Sequence, residues 1–81
     1  MWITELRESR VSKSTNKEVD VYTRLFKTRK RAEEFVRDYN FALKTEGYIR
    51  KEEYDIEGYS ICFENKDNFL YYTFSRQLVR E

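Results

Sequence analysis

A few groups of residues in this 81-residue chain have types and spacings that bear on chemistry. The most crowded is acidic: Glu52, Glu53, Asp55 and Glu57. Read as a strand, the segment puts Glu53, Asp55 and Glu57 on one face, with Tyr54 and Ile56 on the other. Three carboxylates on one surface suit a hard divalent cation or a basic groove. No calcium-loop spacing accompanies them, and the chain has no His, so a catalytic metal would rest on carboxylates alone. The row reads better as a solvated edge strand, charged against edge-to-edge pairing. Ser60 and Cys62 have no base in pattern with them, which removes nucleophilic catalysis. A single Cys cannot build a zinc site or an internal disulfide. The expectation is a protein that is not an enzyme and uses neither metal nor cofactor.

Binding chemistry has better material. Lys27-Thr28-Arg29-Lys30-Arg31 precedes a helical pattern, where four cations oppose the positive end of the helix dipole. Free N–H groups of a first turn, the Thr28 hydroxyl and these cationic heads suit a phosphate or a cluster of carboxylates. The bland alternative is a solvated turn answered by Glu18, Asp20 or the acidic segment. Phe41 falls about 180° around the helix from Ala32, on the polar side with Lys30, Glu34, Arg37 and Thr45. Arg37 and Phe41, one turn apart, form an aromatic-plus-arginine pair of the kind that anchors protein interfaces. The tail Leu78-Val79 is the segment of the chain available to cover Phe41. Tyr54, Tyr59, Phe69, Tyr71, Tyr72 and Phe74 could present an aromatic platform for stacking, although most read as core.

The elements that must hold these groups follow from periodicity. Residues 2–11 and 19–26 recur at spacings of two and read as a hairpin around the polar turn 12–17. Ala32, Phe35, Val36, Tyr39, Ala42 and Leu43 form one helical stripe. Thr28 is the N-cap and Gly47 the left-handed stop, so a helix over residues 29 to 46 is expected, supported by an i, i+4 pair from Glu33 to Arg37. Beyond Gly47 the period returns to two over 48–56, 59–63 and 69–74, with turns at Glu57-Gly58 and residues 65–68. The predicted fold class is α+β: an antiparallel sheet of about five strands with one helix packed on one face, in the order β-β-α-β-β-β. Leu, Val and Ile together number 14, the same as Tyr, Phe and Trp, so the core should be aromatic.

Composition bounds the rest. Residues 1–81 are short for more than one domain. Leu, Ile, Val and Phe number 20, enough for a folded core but too few for a core plus a deep substrate pocket. The net charge of +1 hides a division: residues 1–40 carry ten Lys/Arg against seven Asp/Glu (+3), and residues 41–81 six against eight (−2). Neither a strongly basic nucleic-acid binder nor an acidic mimic has this balance. The apolar runs are too short for a membrane span and the first residues lack the pattern of a signal peptide, so the expected place is the cytoplasm. The unpaired thiol of Cys62 fits a reducing compartment, and a disulfide to another chain is the only one open to it.

Residues 19–36, a strand followed by Phe26-Lys27-Thr28-Arg29-Lys30-Arg31-Ala32-Glu33-Glu34-Phe35, resemble the strand-to-helix junction of arm-type DNA-binding domains of phage and transposon integrases. That resemblance implies DNA binding through a sheet in the major groove. In size, absence of Pro and His, Tyr richness and a Lys/Glu surface, the whole chain resembles the small accessory proteins of bacteriophages and mobile elements, anti-CRISPR and other anti-defence inhibitors among them. This second resemblance implies a rigid body in a host cytoplasm that inhibits a larger host protein, such as a defence nuclease, or a protein–nucleic acid complex, by stoichiometric binding. The candidate contacts are Lys27, Arg29, Lys30, Arg31, Arg37 and Phe41, with Glu53, Asp55 and Glu57 as an acidic patch. The alternative is a nucleic-acid-binding module using the basic helix entrance and the first hairpin. Homodimerisation through an exposed edge strand is compatible with either.

Overall fold

The computed structural model describes residues 1–80. Two long strands, β1 (Trp2–Ser12) and β2 (Glu18–Phe26), lead into helix α1 (Arg29–Thr45). Three more follow, β3 (Ile49–Arg50), β4 (Ser60–Glu64) and β5 (Asn68–Leu78). All pairings are antiparallel, in the spatial order β2-β1-β5-β4-β3. The expected fold class and element order are those observed. Among the described residues, no helix is long and apolar enough to cross a membrane.

β1 and β5 pair along their whole length, from Trp2 opposite Leu78 to Ser12 opposite Asn68. This pairing carries β5 four residues past the predicted end at Phe74, because an eleven-residue partner is there to receive it. Alternation then assigns faces. Thr4, Leu6, Glu8 and Arg10 of β1 share one face with Leu70, Tyr72 and Phe74 of β5 and Ile61 and Phe63 of β4. α1 lies on that face, contributing Ala32, Val36 and Leu43 to a core with Leu6, Tyr48, Phe63, Leu70, Tyr72 and Phe74. Four of these nine side chains are aromatic, as expected. The Tyr72 hydroxyl, deep in the core, donates to Glu8 Oε1 at 3.0 Å, so its polar end is satisfied. Burial, reinforced by the Glu8 charge, raises its pKa far above the ordinary tyrosine value.

The predicted stripe of α1 is wider than the buried one. Phe35 and Tyr39 lie on its β2 flank, stacked on each other at 5.7 Å, with Phe35 also 5.5 Å from Phe26. The helix begins as read: the Thr28 hydroxyl accepts from Arg31 N–H at 3.2 Å. It ends one residue earlier than expected, in a Schellman turn in which Tyr48 N–H reaches Leu43 O and Gly47 N–H reaches Lys44 O, both at 3.0 Å. Gly47 sits at φ +82°, a conformation that suits glycine, and Tyr48 is thereby driven into the core.

The third strand departs most from expectation. Only Ile49 and Arg50 pair with β4, and Glu52–Tyr54 form a single 3₁₀ turn. The cause is a side chain. Asp55 accepts the Cys62 N–H at 2.9 Å, occupying a donor that a longer β3 would have used, and it also pairs with Arg50. The 3₁₀ turn lies against the second face of the sheet, where Tyr54 meets Phe69 edge-on at 6.1 Å and Cys62 is completely buried. The thiol is therefore not at the surface for a disulfide to another chain.

Candidate functional site

The cations at the helix entrance do not act as one cluster. Arg29 turns inward: its Nη1 donates to Gly58 O at 2.6 Å, its Nε pairs with Glu33 at 2.7 Å, and its guanidinium lies 4.8 Å from the Phe74 ring centroid. Held on three sides, it takes the carboxylate that the sequence reading gave to Arg37. Arg37 is consequently left without an ion pair among the described residues. So are Lys27, Lys30 and Arg31, because Glu18 binds Arg7 at 3.1 Å and Asp20 binds Arg10 at 3.5 Å instead of answering the basic turn. Two residues past Arg29, Arg31 points to the opposite flank of the helix, since each residue advances about 100°. Lys27 and Thr28 border a hollow at the end of the sheet, whose other wall is Trp2 with Arg76 stacked 4.5 Å from its ring.

Along the other flank of α1 runs an open groove, left because the helix packs on β1, β2 and β5 and leaves Ile61 of β4 only half-buried. Its floor is Ile61, Phe63 and Phe74; its walls include Arg29, Arg37, Asn40 and Arg50. Two of the three arginines lie over the floor aromatics, Arg29 on Phe74 and Arg50 on Phe63 at 5.8 Å, and each has its own carboxylate, Glu33 or Asp55. Their stacking is an attraction between cation and ring face that also fixes the guanidinium planes. Arg37 is the exception, a wall cation without a carboxylate. One turn beyond it, Phe41 is 77% exposed. The tail does not cover it: Leu78 pairs with Trp2 and Val79 N–H donates to Met1 O at 2.9 Å, at the far end of the sheet.

The acidic residues do not form a face. The 3₁₀ turn breaks the alternation that would have aligned them, so the row of Glu53, Asp55 and Glu57 is corrected to three separate fates. Asp55 is half-buried between Arg50 and the Cys62 amide. Glu53 reaches Lys51 at 3.8 Å, and Glu57 is exposed in the turn before Gly58. No group of three His, Cys, Asp or Glu side chains among the described residues is placed to hold a metal ion. The supposed aromatic platform is also divided, with Tyr72 and Phe74 under the helix and Phe69 and Tyr71 on the second face beneath Tyr54.

The groove itself escaped the sequence reading. Arg50, Ile61 and Phe63 come from two paired strands whose alternation points them the same way, but nothing in the sequence says that the helix stops short of β4. Of the first hairpin's cations, Lys13 and Lys17 lie by its tip, about ten residues along β1 from the helix entrance, or roughly 33 Å, while Arg7 and Arg10 are paired with Glu18 and Asp20. The structure does not bring those two basic groups together.

Comparison of the chain with protein-family models, with curated proteins and with solved structures finds no match.

Proposed function

We propose that this protein is a non-enzymatic binding protein that acts by stoichiometric capture of a larger protein, with the α1 face at Arg37 and Phe41 and the adjoining groove as its contact surface. The observation that carries the reading is the conjunction of Phe41, 77% exposed, with an arginine that has no carboxylate among the described residues, beside a groove whose aromatic floor lies under Arg29 and Arg50. Arginine and aromatic residues supply most of the energy at protein interfaces, and an unpaired guanidinium beside an apolar anchor selects a partner that offers a carboxylate next to a hydrophobic side chain. Inhibition of a host defence protein by a phage-encoded factor is the setting that the chain's size and style favour.

The test is affinity capture from bacterial lysate, after nuclease treatment and across a salt series, with wild type, Phe41→Glu, Arg37→Glu and a control changed at Lys17. One protein retained by wild type and control but lost with both α1 variants, whose circular dichroism matches wild type, is the expected result. A partner held equally by all four, or none at all, overturns the reading.

A second reading rests on Lys27, Lys30 and Arg31, which have no ion pair among the described residues and stand at a helix end without an acid in its first turn. These could hold phosphates of a nucleic acid. Affinity would then fall log-linearly with salt, by about 0.9 of a decade for each phosphate contact per decade of salt. Absence of binding to duplex or single strands at low salt removes this reading.

A further inference from the structure

The outer edge of the sheet at β2 is finished unlike any other part of the molecule. Nine residues long, it has a partner on one side only, and every residue from Glu18 to Leu25 is exposed. Large apolar side chains stand on both of its faces: Val21 and Leu25 on the helix-free face and Tyr22, 58% exposed, on the other, with Val19 at the bulge. The usual protections of such an edge are a short strand, charged side chains, Lys above all, or Pro, or a bulge that twists it away. Residues 18–26 contain neither Lys nor Pro; their charges are Glu18, Asp20 and Arg24, and the irregularity in the pairing lies at the start of the strand, opposite Arg10 and Val11.

The sequence of this edge is complementary to itself. Two copies related by a two-fold axis normal to the sheet keep their helices on one side, so residues of the same face must oppose one another. With the axis at Tyr22, Asp20 faces the partner's Arg24 and Arg24 faces the partner's Asp20. On the other face Val21 meets the partner's Thr23 and Thr23 the partner's Val21. Arg24 has no carboxylate among the described residues; its guanidinium rests on Phe35, 4.8 Å from the ring centroid, on the face where the pairing needs it, whereas Asp20 would meet it while also holding Arg10 at 3.5 Å. Sliding by two residues per strand in one direction sets Asp20 against the partner's Asp20, and in the other sets Arg24 against the partner's Arg24. Moving the axis by one residue, to Val21 or Thr23, sets Asp20 or Arg24 against the partner's Tyr22 instead, so among these registers only the axis at Tyr22 pairs Asp20 with Arg24.

We infer that β2 pairs antiparallel with β2 of a second copy of this chain about Tyr22, joining two five-stranded sheets into one continuous sheet with Asp20–Arg24 pairs across the junction. The inference uses none of the residues of the proposed capture surface, so either can fail without the other.

Sedimentation equilibrium of the full chain tests it, with Asp20→Arg, Arg24→Asp and a mixture of the two. Each single variant opposes like charges twice and should weaken the dimer by about tenfold or more. One variant carries two cations at the junction and the other two anions, so the equimolar mixture should regain a dimer containing one of each. Wild type that stays monomeric at all concentrations overturns the inference. So do variants that dimerise as well as wild type, or a mixture that stays monomeric while both variants retain the wild-type circular dichroism spectrum. Should a variant lose that spectrum, Tyr22→Lys replaces it, with loss of the dimer expected and persistence overturning the inference.

Discussion

The two edges of this sheet solve the same problem in opposite ways. At the β3 edge the ladder is cut to two residues, and the side chain of Asp55 takes over the next amide of β4, with the 3₁₀ turn against the second face. At the β2 edge no side chain caps the ladder: eight of the nine residues, Glu18 to Leu25, leave their side chains on both faces to the solvent. A carboxylate that caps an edge terminates it within one protein. An edge with alternating apolar and complementary charged residues stays open to pairing. The acidic segment that looked like edge protection is thus protective through one buried acceptor and not through a row of charges.

The largest effect should come from breaking the closed edge. Asp55→Ala leaves the Cys62 amide and Arg50 without their acceptor and should lower stability by about 1–3 kcal/mol, read from urea unfolding, whereas Asp55→Asn, which keeps a carbonyl oxygen, should cost less. Equal losses would show that the charge, not the capped amide, closes the edge. Thiol chemistry sharpens the same point. Burial, with the nearby charges of Asp55 and Glu64, pushes the Cys62 thiol up to about 11. Modification by a thiol reagent should then be far slower in the native protein than in urea, since a buried, protonated sulfur is a poor nucleophile. Rapid native labelling at neutral pH would mean that the 3₁₀ turn does not stay closed.

The smallest effect compares a carboxylate from each side. Glu18, at the start of β2, is held below the ordinary carboxylate range by its hydrogen bond from Ser9 and then by Arg7. Glu64 of β4 is lowered chiefly by the hydrogen bond from Lys13, 2.9 Å away, with the Lys13 and Lys51 charges adding to it. A carboxyl with a depressed folded pKa supplies stability that is complete above the ordinary carboxylate range and is lost as pH falls through the depressed value. Urea midpoints should therefore decline on acidification below that range, and Glu18→Gln or Glu64→Gln should each flatten the decline slightly, both pairs being partly exposed. An unchanged slope in both variants would assign the acid sensitivity elsewhere.

Much of this fold is legible in the sequence because period and punctuation agree: the stripe at Ala32, Val36 and Leu43, the Thr28 cap, the Gly47 stop and the polar turn at 12–17 all point to one answer. Two failures have physical causes. Glu33 has an arginine four residues to either side, and helix geometry alone cannot choose between them; the Phe74 ring and the Gly58 carbonyl, far away in sequence, decide for Arg29. The alternation at 48–56 is real, but a pattern of polar residues has no buried face to enforce it, so one well-placed carboxylate overrides it. Phe41 was legible as an off-stripe residue, whereas the groove beside it depends on how much of β4 the helix leaves bare, which is a property of the sheet order.

That order has a consequence for how the protein comes into being. Glu8 and Tyr72, 64 residues apart, meet in the middle of the sheet, and β1 has no inner neighbour until β5 exists. On a ribosome, the first hairpin and the helix must wait, with Leu6 and the apolar side of α1 uncovered, until the strand ending at Leu78 has emerged. Folding is set to the slow, non-local end for a chain of this size. During that interval a nascent hairpin exposes two unprotected strand edges instead of one.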